Sequence, residues 1–367
     1  MNKKYFKIVI SIIIIVALIF GFLVYQKHTR NVIDEIVSMN DMINILIAGR
    51  RAYNDNTFRF FSLITINPAN KNIGITFIPP DYRIMMNDDG TNIKKISEVD
   101  FYYFDRIRFT LKKDIQMNVP FYIILYSPDV VRSVNLIEGI NLFLLDQVQN
   151  TPKKDFGLQY LDGEKVVQYI NSVEQNSIYM KYDKILDIFL TLYNGKDDGK
   201  KLFNYKFIGE LFRNIRTNLM LQELYSIAEI VFQGENMDST LLPGDFNNGY
   251  YTVDELSYRT YQQEFLTNLV LQNEFDPNVK IKILNGTPIP GLARKLRNDL
   301  IRDGMSVVEF GTSSYPAIYD SIIICRKSDM KSVRRISDMT GIGKIYFVTD
   351  TTQLSNIMII VGEDMAK

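Results

Sequence analysis

Residues Ile64 to Asp81 read ITINPANKNIGITFIPPD, two short apolar runs parted by a polar turn and closed by a Pro-Pro-Asp step. Thr65 and Ile66 before the turn, and Ile73, Ile75, Phe77 and Ile78 after it, predict an antiparallel hairpin turning at Ala69 to Asn72. Proline donates no main-chain hydrogen bond, so Pro79 and Pro80 end the second strand and set the Asp81 carboxylate at its mouth. A lone hairpin is marginal in water, so the rest of the chain must supply a wider sheet and its cover.

With 367 residues there is enough chain for two domains, each burying its own core. Lys plus Arg and Asp plus Glu balance at 42 each, and there is no helix-turn-helix pattern, so nucleic acid is not an expected partner. The single cysteine, Cys325, excludes a disulfide framework and reads as a buried small residue; the single histidine, His28, sits beside an apolar run. Zinc chemistry and Ser-His-Asp chemistry therefore lack their residues. The apolar run is Ile8 to Tyr25 (IVISIIIIVALIFGFLVY), about the 20 residues needed to cross a bilayer core. It predicts a single-pass anchor in the lipid bilayer of the inner (cytoplasmic) membrane. Lys3, Lys4 and Lys7 before it, against Lys27 and Arg30 after it, place the N-terminus inside and the body outside the cytoplasm. A cleaved signal peptide is the alternative; the run exceeds an ordinary signal core and no Ala-x-Ala site follows.

After the tip and anchor, residues 1–28, comes a polar or helical stalk, 29–42. Strand signals at Ile43–Ala48, Phe60–Ile66, Ile73–Ile78 and Phe121–Tyr126 then alternate with a helix-like spacing over Pro128–Ile137, and Glu138–Leu144 turns into a further strand. Asp162 is placed to cap a helix that buries Val166, Val167 and Ile170. Helical spacing continues over Lys184–Leu192 and Phe207–Phe232, broken by the polar loop Asn194–Lys201, before an irregular Tyr-rich stretch that follows Leu242, Pro243 and Gly244. This alternation predicts one α/β domain over 43–272. A smaller α/β domain over 278–367 begins with the strand Val279–Leu284, turns at Asn285-Gly286, runs through a helix at Pro290–Arg302 stopped by Gly304, and continues in the strand Ser306–Phe310.

Several of these segments carry a resemblance. The hairpin with its Pro-Pro-Asp end, the step Lys95-Ile96, and the run Gly157-Leu158, Leu161-Asp162-Gly163 followed by a helix with Tyr169 resemble the LytR-CpsA-Psr (LCP) family of bacterial cell envelope assembly. Leu284-Asn285-Gly286-Thr287, Gly291-Leu292-Ala293 and the ending Ile357–Asp364 resemble the LytR C-terminal domain. The resemblance implies an αβα sandwich with a central mixed sheet, followed by the smaller α/β domain, behind the transmembrane helix.

It also implies a site in which arginines hold a lipid-linked pyrophosphate and carboxylates hold Mg²⁺. Arg51, and Thr57, Phe58 and Arg59, stand where that family carries carboxylates; Pro80 stands where it carries an arginine, and Asn171 and Val173 replace the Arg-x-Arg that follows the helix tyrosine. Catalytic candidates are accordingly reduced to Asp81, Arg83, Arg59 and Arg51, with Lys95 and Arg50 as substrate-binding candidates and Asp81 as the only metal ligand. One carboxylate binds Mg²⁺ weakly unless substrate phosphates complete its shell. Two readings follow. The first is an anchored, non-catalytic LCP-like protein that binds a polyprenyl-phosphate-linked glycan, peptidoglycan or an envelope protein, without a cofactor. The second is an active phosphoglycosyl transferase that moves a glycopolymer from a polyprenyl pyrophosphate carrier to peptidoglycan, which requires Arg51, Arg59, Asp81 and Arg83 to converge on one apolar pocket. Asp81 as a turn carboxylate, Asn87–Gly90 as a plain turn, and Arg294, Lys295, Arg297 and Arg302 as a solvated helix face or a seat for anionic glycan or lipid phosphate are the remaining local readings.

Overall fold

A computed structural model describes residues 31–55, 58–144, 157–172, 178–195, 205–271, 278–315, 317–350 and 353–366. The run Ile8–Tyr25 and most of the loop Asn194–Lys201 lie outside them, and among the described residues no helix is long and apolar enough to cross a membrane.

The first element is helix α1 (Val32–Met39), where a stalk was expected. It is helical but docked. Asn31 caps it by accepting from the Asp34 amide at 2.7 Å and donates to Ser226 at 2.9 Å, while Ile33 is fully buried. Strand β1 (Ile43–Arg50) follows, and every one of its residues is buried because both faces of the sheet are covered. β2 (Phe58–Ile66) and β3 (Ile73–Ile78) form the predicted hairpin, with Ile66 opposite Ile73. After a small ribbon, β4 (Arg83–Met85) and β5 (Ile93–Lys95), come α2 (Phe104–Ile115), β6 (Phe121–Tyr126) and α3 (Ser127–Leu136). β7 (Ile140–Leu144) and β8 (Gly157–Leu161) make a separate ribbon, from which α4 (Gly163–Asn171) starts. Asp162 caps α4 as expected, accepting from the Lys165 amide at 2.9 Å.

α5 (Ile178–Asn194) and α6 (Tyr205–Asn214) come next. The single helical pattern expected over Phe207–Phe232 is in fact two helices. β9 (Arg216–Thr217) parts α6 from α7 (Leu221–Gln233), because Thr217 and Asn218 bond to the main chain at Tyr122 and Pro120 beside β6. β10 (Met237–Leu241) and the ribbon β11 (Asp245–Asn247) and β12 (Tyr250–Thr252) follow. The Tyr-rich stretch is also ordered, not irregular: α8 (Glu255–Thr260) passes through a π-helical segment, Tyr261–Leu266, into α9 (Thr267–Val270). Buried Tyr261 bonds Thr76 on β3 at 2.9 Å and so anchors that segment to the sheet.

The main sheet has the order β10-β3-β2-β1-β6-β9 and is mixed: β1 is parallel to β6 and antiparallel to β2, and β3 is parallel to β10. One face packs Ile43, Ile45, Ile47, Ile75 and Phe77 against α5, α6 and α7; the other packs Leu46, Ala48, Leu63 and Ile78 against α2 and the π-helical segment. This is the expected αβα sandwich. β1, β3, β6 and β10 all end at one edge, the edge where open α/β sheets bind ligands.

The C-terminal domain is a five-stranded sheet of order β14-β13-β17-β15-β16, built from β13 (Lys280–Asn285), β14 (Ser306–Thr312), β15 (Ile322–Cys325), β16 (Ile345–Phe347) and β17 (Ile357–Val361). Helices α10 (Leu292–Arg302) and α11 (Met330–Thr340) cover one face through Leu296, Leu300, Val333 and Ile336. Its signature residues are structural. Asn285 accepts from the Thr287 amide and hydroxyl at 3.1 and 2.9 Å, and a Cβ on Gly286 would meet Ile360 at 2.8 Å. Cys325 is buried, as read from the sequence. The two domains share contacts: Phe143 of β7 packs with Tyr315 and Tyr346, and Ser239 of β10 bonds Ser328 at 2.8 Å.

Candidate functional site

At the edge where β1 and β6 end, a cleft of about 720 Å³ opens between α3 and α4. Arg51, just past β1, lines one side; Val131, Arg132 and Asn135 of α3 and Glu164, Val167 and Asn171 of α4 line the rest. The two helices can pinch the cleft this closely because α4 begins on Gly163. A Cβ there would stand 2.2 Å from the Val131 carbonyl oxygen. The Gly163 amide instead donates to Asn135 at 2.8 Å.

Three side chains around this opening were not singled out from the sequence. Arg132 holds Asn214 of α6. Asp129 is buried at the start of α3, where it accepts from the Tyr53 hydroxyl and from the Tyr126 amide at 3.2 Å. Its carboxylate, through that hydrogen bond, raises the Tyr53 phenol. Lys181 of α5 reaches Asn171 on the cleft wall at 3.3 Å. Burial and then the neighbouring Arg59 charge push the Lys181 ammonium below its usual pKa. For Asp129 the sequence signal was an acid set among the apolar positions of α3; Lys181 had none.

The expected candidates do not converge. Arg51 is exposed in the cleft, and Arg59 is exposed and pairs with Asp55 at 3.3 Å. Arg50, expected as a substrate-binding candidate, is instead buried with its guanidinium 4.2 Å from the Phe58 ring centroid, beside a register shift at Gly49/Arg50. Asp81, read as a turn carboxylate or metal ligand, is held by the Lys95 ammonium at 2.6 Å. Arg83 sits across the ribbon from Lys95 and acts on Asp114, whose carboxyl is raised chiefly by burial and is lowered by Arg83. A single carboxylate already bound by an ammonium does not fit Mg²⁺, which asks for several hard oxygen ligands. Among the described residues no cluster of three acidic, histidine or cysteine side chains is close enough to hold a metal ion. Asn87–Gly90 is a plain turn, in which Asp89 accepts from Thr91.

The Asp81 and Lys95 side chains are each about a third exposed, so their pair is worth little in stability. Lys95→Ala is expected to change the unfolding free energy by less than about 1 kcal/mol, measured by urea titration.

The fold defines the class: the first domain has the fold of solved LCP proteins. B. subtilis TagV matches with a TM-score of 0.51 and 18% identity over 64% of this chain and 99% of that one. TagT bound to LIIa-WTA matches at 0.51 and 19%, over 63% and 92%; gbs0355 from Streptococcus agalactiae matches at 0.50 and 15%, over 65% and 91%. Residues 278–364 match the family described as LytR cell envelope-related transcriptional attenuator. The chain thus joins an LCP fold to a LytR C-terminal domain. No curated protein sequence matches it.

Proposed function

We propose that the chain is a membrane-anchored, extracytoplasmic protein of bacterial cell envelope assembly that binds a polyprenyl-linked glycan through its phosphate and does not turn it over. The observation that carries this reading is the pair of arginines, Arg51 and Arg132, that lines the cleft between α3 and α4, with Lys181 reaching Asn171 on its wall, while Asp81, the one carboxylate kept from the family pattern, is held by Lys95. Phosphoryl transfer needs charge neutralisation together with a positioned metal or base. The cations supply the first, and among the described residues no cluster of three acidic, histidine or cysteine side chains holds a metal. TagT, with the same fold, is seen bound to LIIa-WTA, which is consistent with a lipid-linked glycan as the ligand here. The basic opening suits the head of such a ligand, and the anchor at Ile8–Tyr25 would hold the site next to the membrane that carries it.

Calorimetric titration with farnesyl pyrophosphate tests the reading. The full chain in detergent is expected to bind, and Arg51→Glu together with Lys181→Glu to weaken binding at least about tenfold. No pyrophosphate release is expected with or without Mg²⁺. Turnover that disappears in the double variant Arg59→Ala and Asp81→Ala would establish the transferase reading instead.

A further inference from the structure

The second sheet has one open side. Its β16 edge lies against α5 and β7 of the first domain, whereas the outer edge of β14 pairs with no strand among the described residues. Proteins usually blunt such an edge with short strands, prolines or inward charges. β14 runs from Ser306 to Thr312 without a proline and presents Val308 and Phe310 to solvent. Its one irregularity, a register shift opposite Ile281 and Lys282, leaves Glu309–Thr312 in regular pairing with β13. The charge of Glu309 is met on the opposite face by Lys282 at 2.7 Å.

The flank of α10 beside this edge is cationic and apolar. Arg297 stacks over the Phe310 ring at 5.0 Å, and Arg294 and Ile301, three before and four after it, lie on the same side of the helix. Ile301 is exposed, and among the described residues neither Arg294 nor Arg297 has an ion-pair partner; Arg297 donates to Asn298 at 3.2 Å. An open row of main-chain donors and acceptors therefore runs beside apolar side chains and two uncompensated cations.

The geometry points to an interaction surface here: β14 takes an extended acidic segment of a partner protein as an added strand, with main-chain pairing along Glu309–Thr312 and carboxylates against Arg294 and Arg297. A second copy of this chain is the weaker occupant. Two-fold pairing of β14 with itself would place both α10 helices on one face and turn their arginines toward each other.

The test is selection from a displayed library of random heptapeptides on the full chain in detergent, in parallel with the variant Arg294→Glu plus Arg297→Glu. Selected peptides are expected to alternate acidic with apolar residues, to lose about tenfold in enrichment on the variant, and to slow amide exchange at Phe310–Thr312. Both arginines lie at the surface, so an unchanged thermal midpoint establishes that the variant is folded. Peptides with no acidic bias, equal enrichment on the variant, or protection elsewhere would each overturn the inference. Protection of β14 that rises with protein concentration and needs no peptide would assign the edge to self-association. Binding to phosphatidylglycerol vesicles that the variant loses, with no peptide enriched, would assign the flank to lipid.

Discussion

Gly163→Ala is expected to lower the unfolding free energy by about 2–3 kcal/mol and to weaken anion binding at the cleft in the same step. The new Cβ would lie 2.2 Å from the carbonyl oxygen and 2.6 Å from the Cα of Val131. Both are main-chain atoms of a helix, so neither can swing aside as a side-chain tip would. α3 and α4 must part, which lengthens the Gly163 to Asn135 bond and moves Arg132 and Asn135 away from Glu164 and Asn171 across the opening. Gly311→Ala is the control: nothing lies within 4 Å of its Cβ position, and the change should stay within about 0.5 kcal/mol. Urea unfolding measures the first effect and pyrophosphate titration the second. A Gly163→Ala protein with unaltered stability would mean that the two helices are not in contact as described.

The second large effect lies between the domains. Asp187 of α5 is fully buried and accepts from the Thr349 amide at 2.6 Å and the Tyr169 hydroxyl at 2.8 Å. Asp187→Leu leaves both donors without a partner and should cost about 3 kcal/mol. Burial pushes the Asp187 carboxyl up to about 7, and burial with the Asp350 charge does the same for Asp183, one turn earlier. The groups facing Asp187 are Tyr169 on α4, Asp183 and Lys184 on α5, and Thr349 and Cys325 in the second domain. Asp187 and Asp183 each bind their proton more tightly folded than unfolded, where an aspartate titrates near about 3.9. Their stabilisation is therefore complete below about pH 4 and is lost as pH rises through about 7. The thermal midpoint should fall between pH 5 and pH 8, and Asp187→Asn, which cannot ionise, should flatten that fall. A midpoint that rises over this range in the parent protein would contradict the assignment.

Strands with strong local patterns were legible. Ile73–Ile78 and Phe121–Tyr126 carry their burial in their own residues, and Asp162 announces its helix by its side chain. The failures share a cause, which is that distant partners decided them. Thr217 looks helical until Tyr122 is beside it. Arg50 looks like a surface cation until Phe58 lies beside it. Asp81 looks free for a metal until the ribbon brings Lys95 back across it. Lys181 reaches the cleft wall only because α5 lies beside α4, where it meets Asn171.

The parallel pairing of β10 with β3 also sets an order of events. Residues 79–236 separate the two strands, so a chain emerging from its N-terminus exposes the edge of Ile73–Ile78 until that whole stretch has been made. All six residues of β3 are buried in the finished sheet, and a bare apolar edge of this kind recruits strands from other chains. A nascent chain halted before Met237 would therefore carry an unfinished seam, and the burden of keeping it single would fall on whatever holds the chain as it is made.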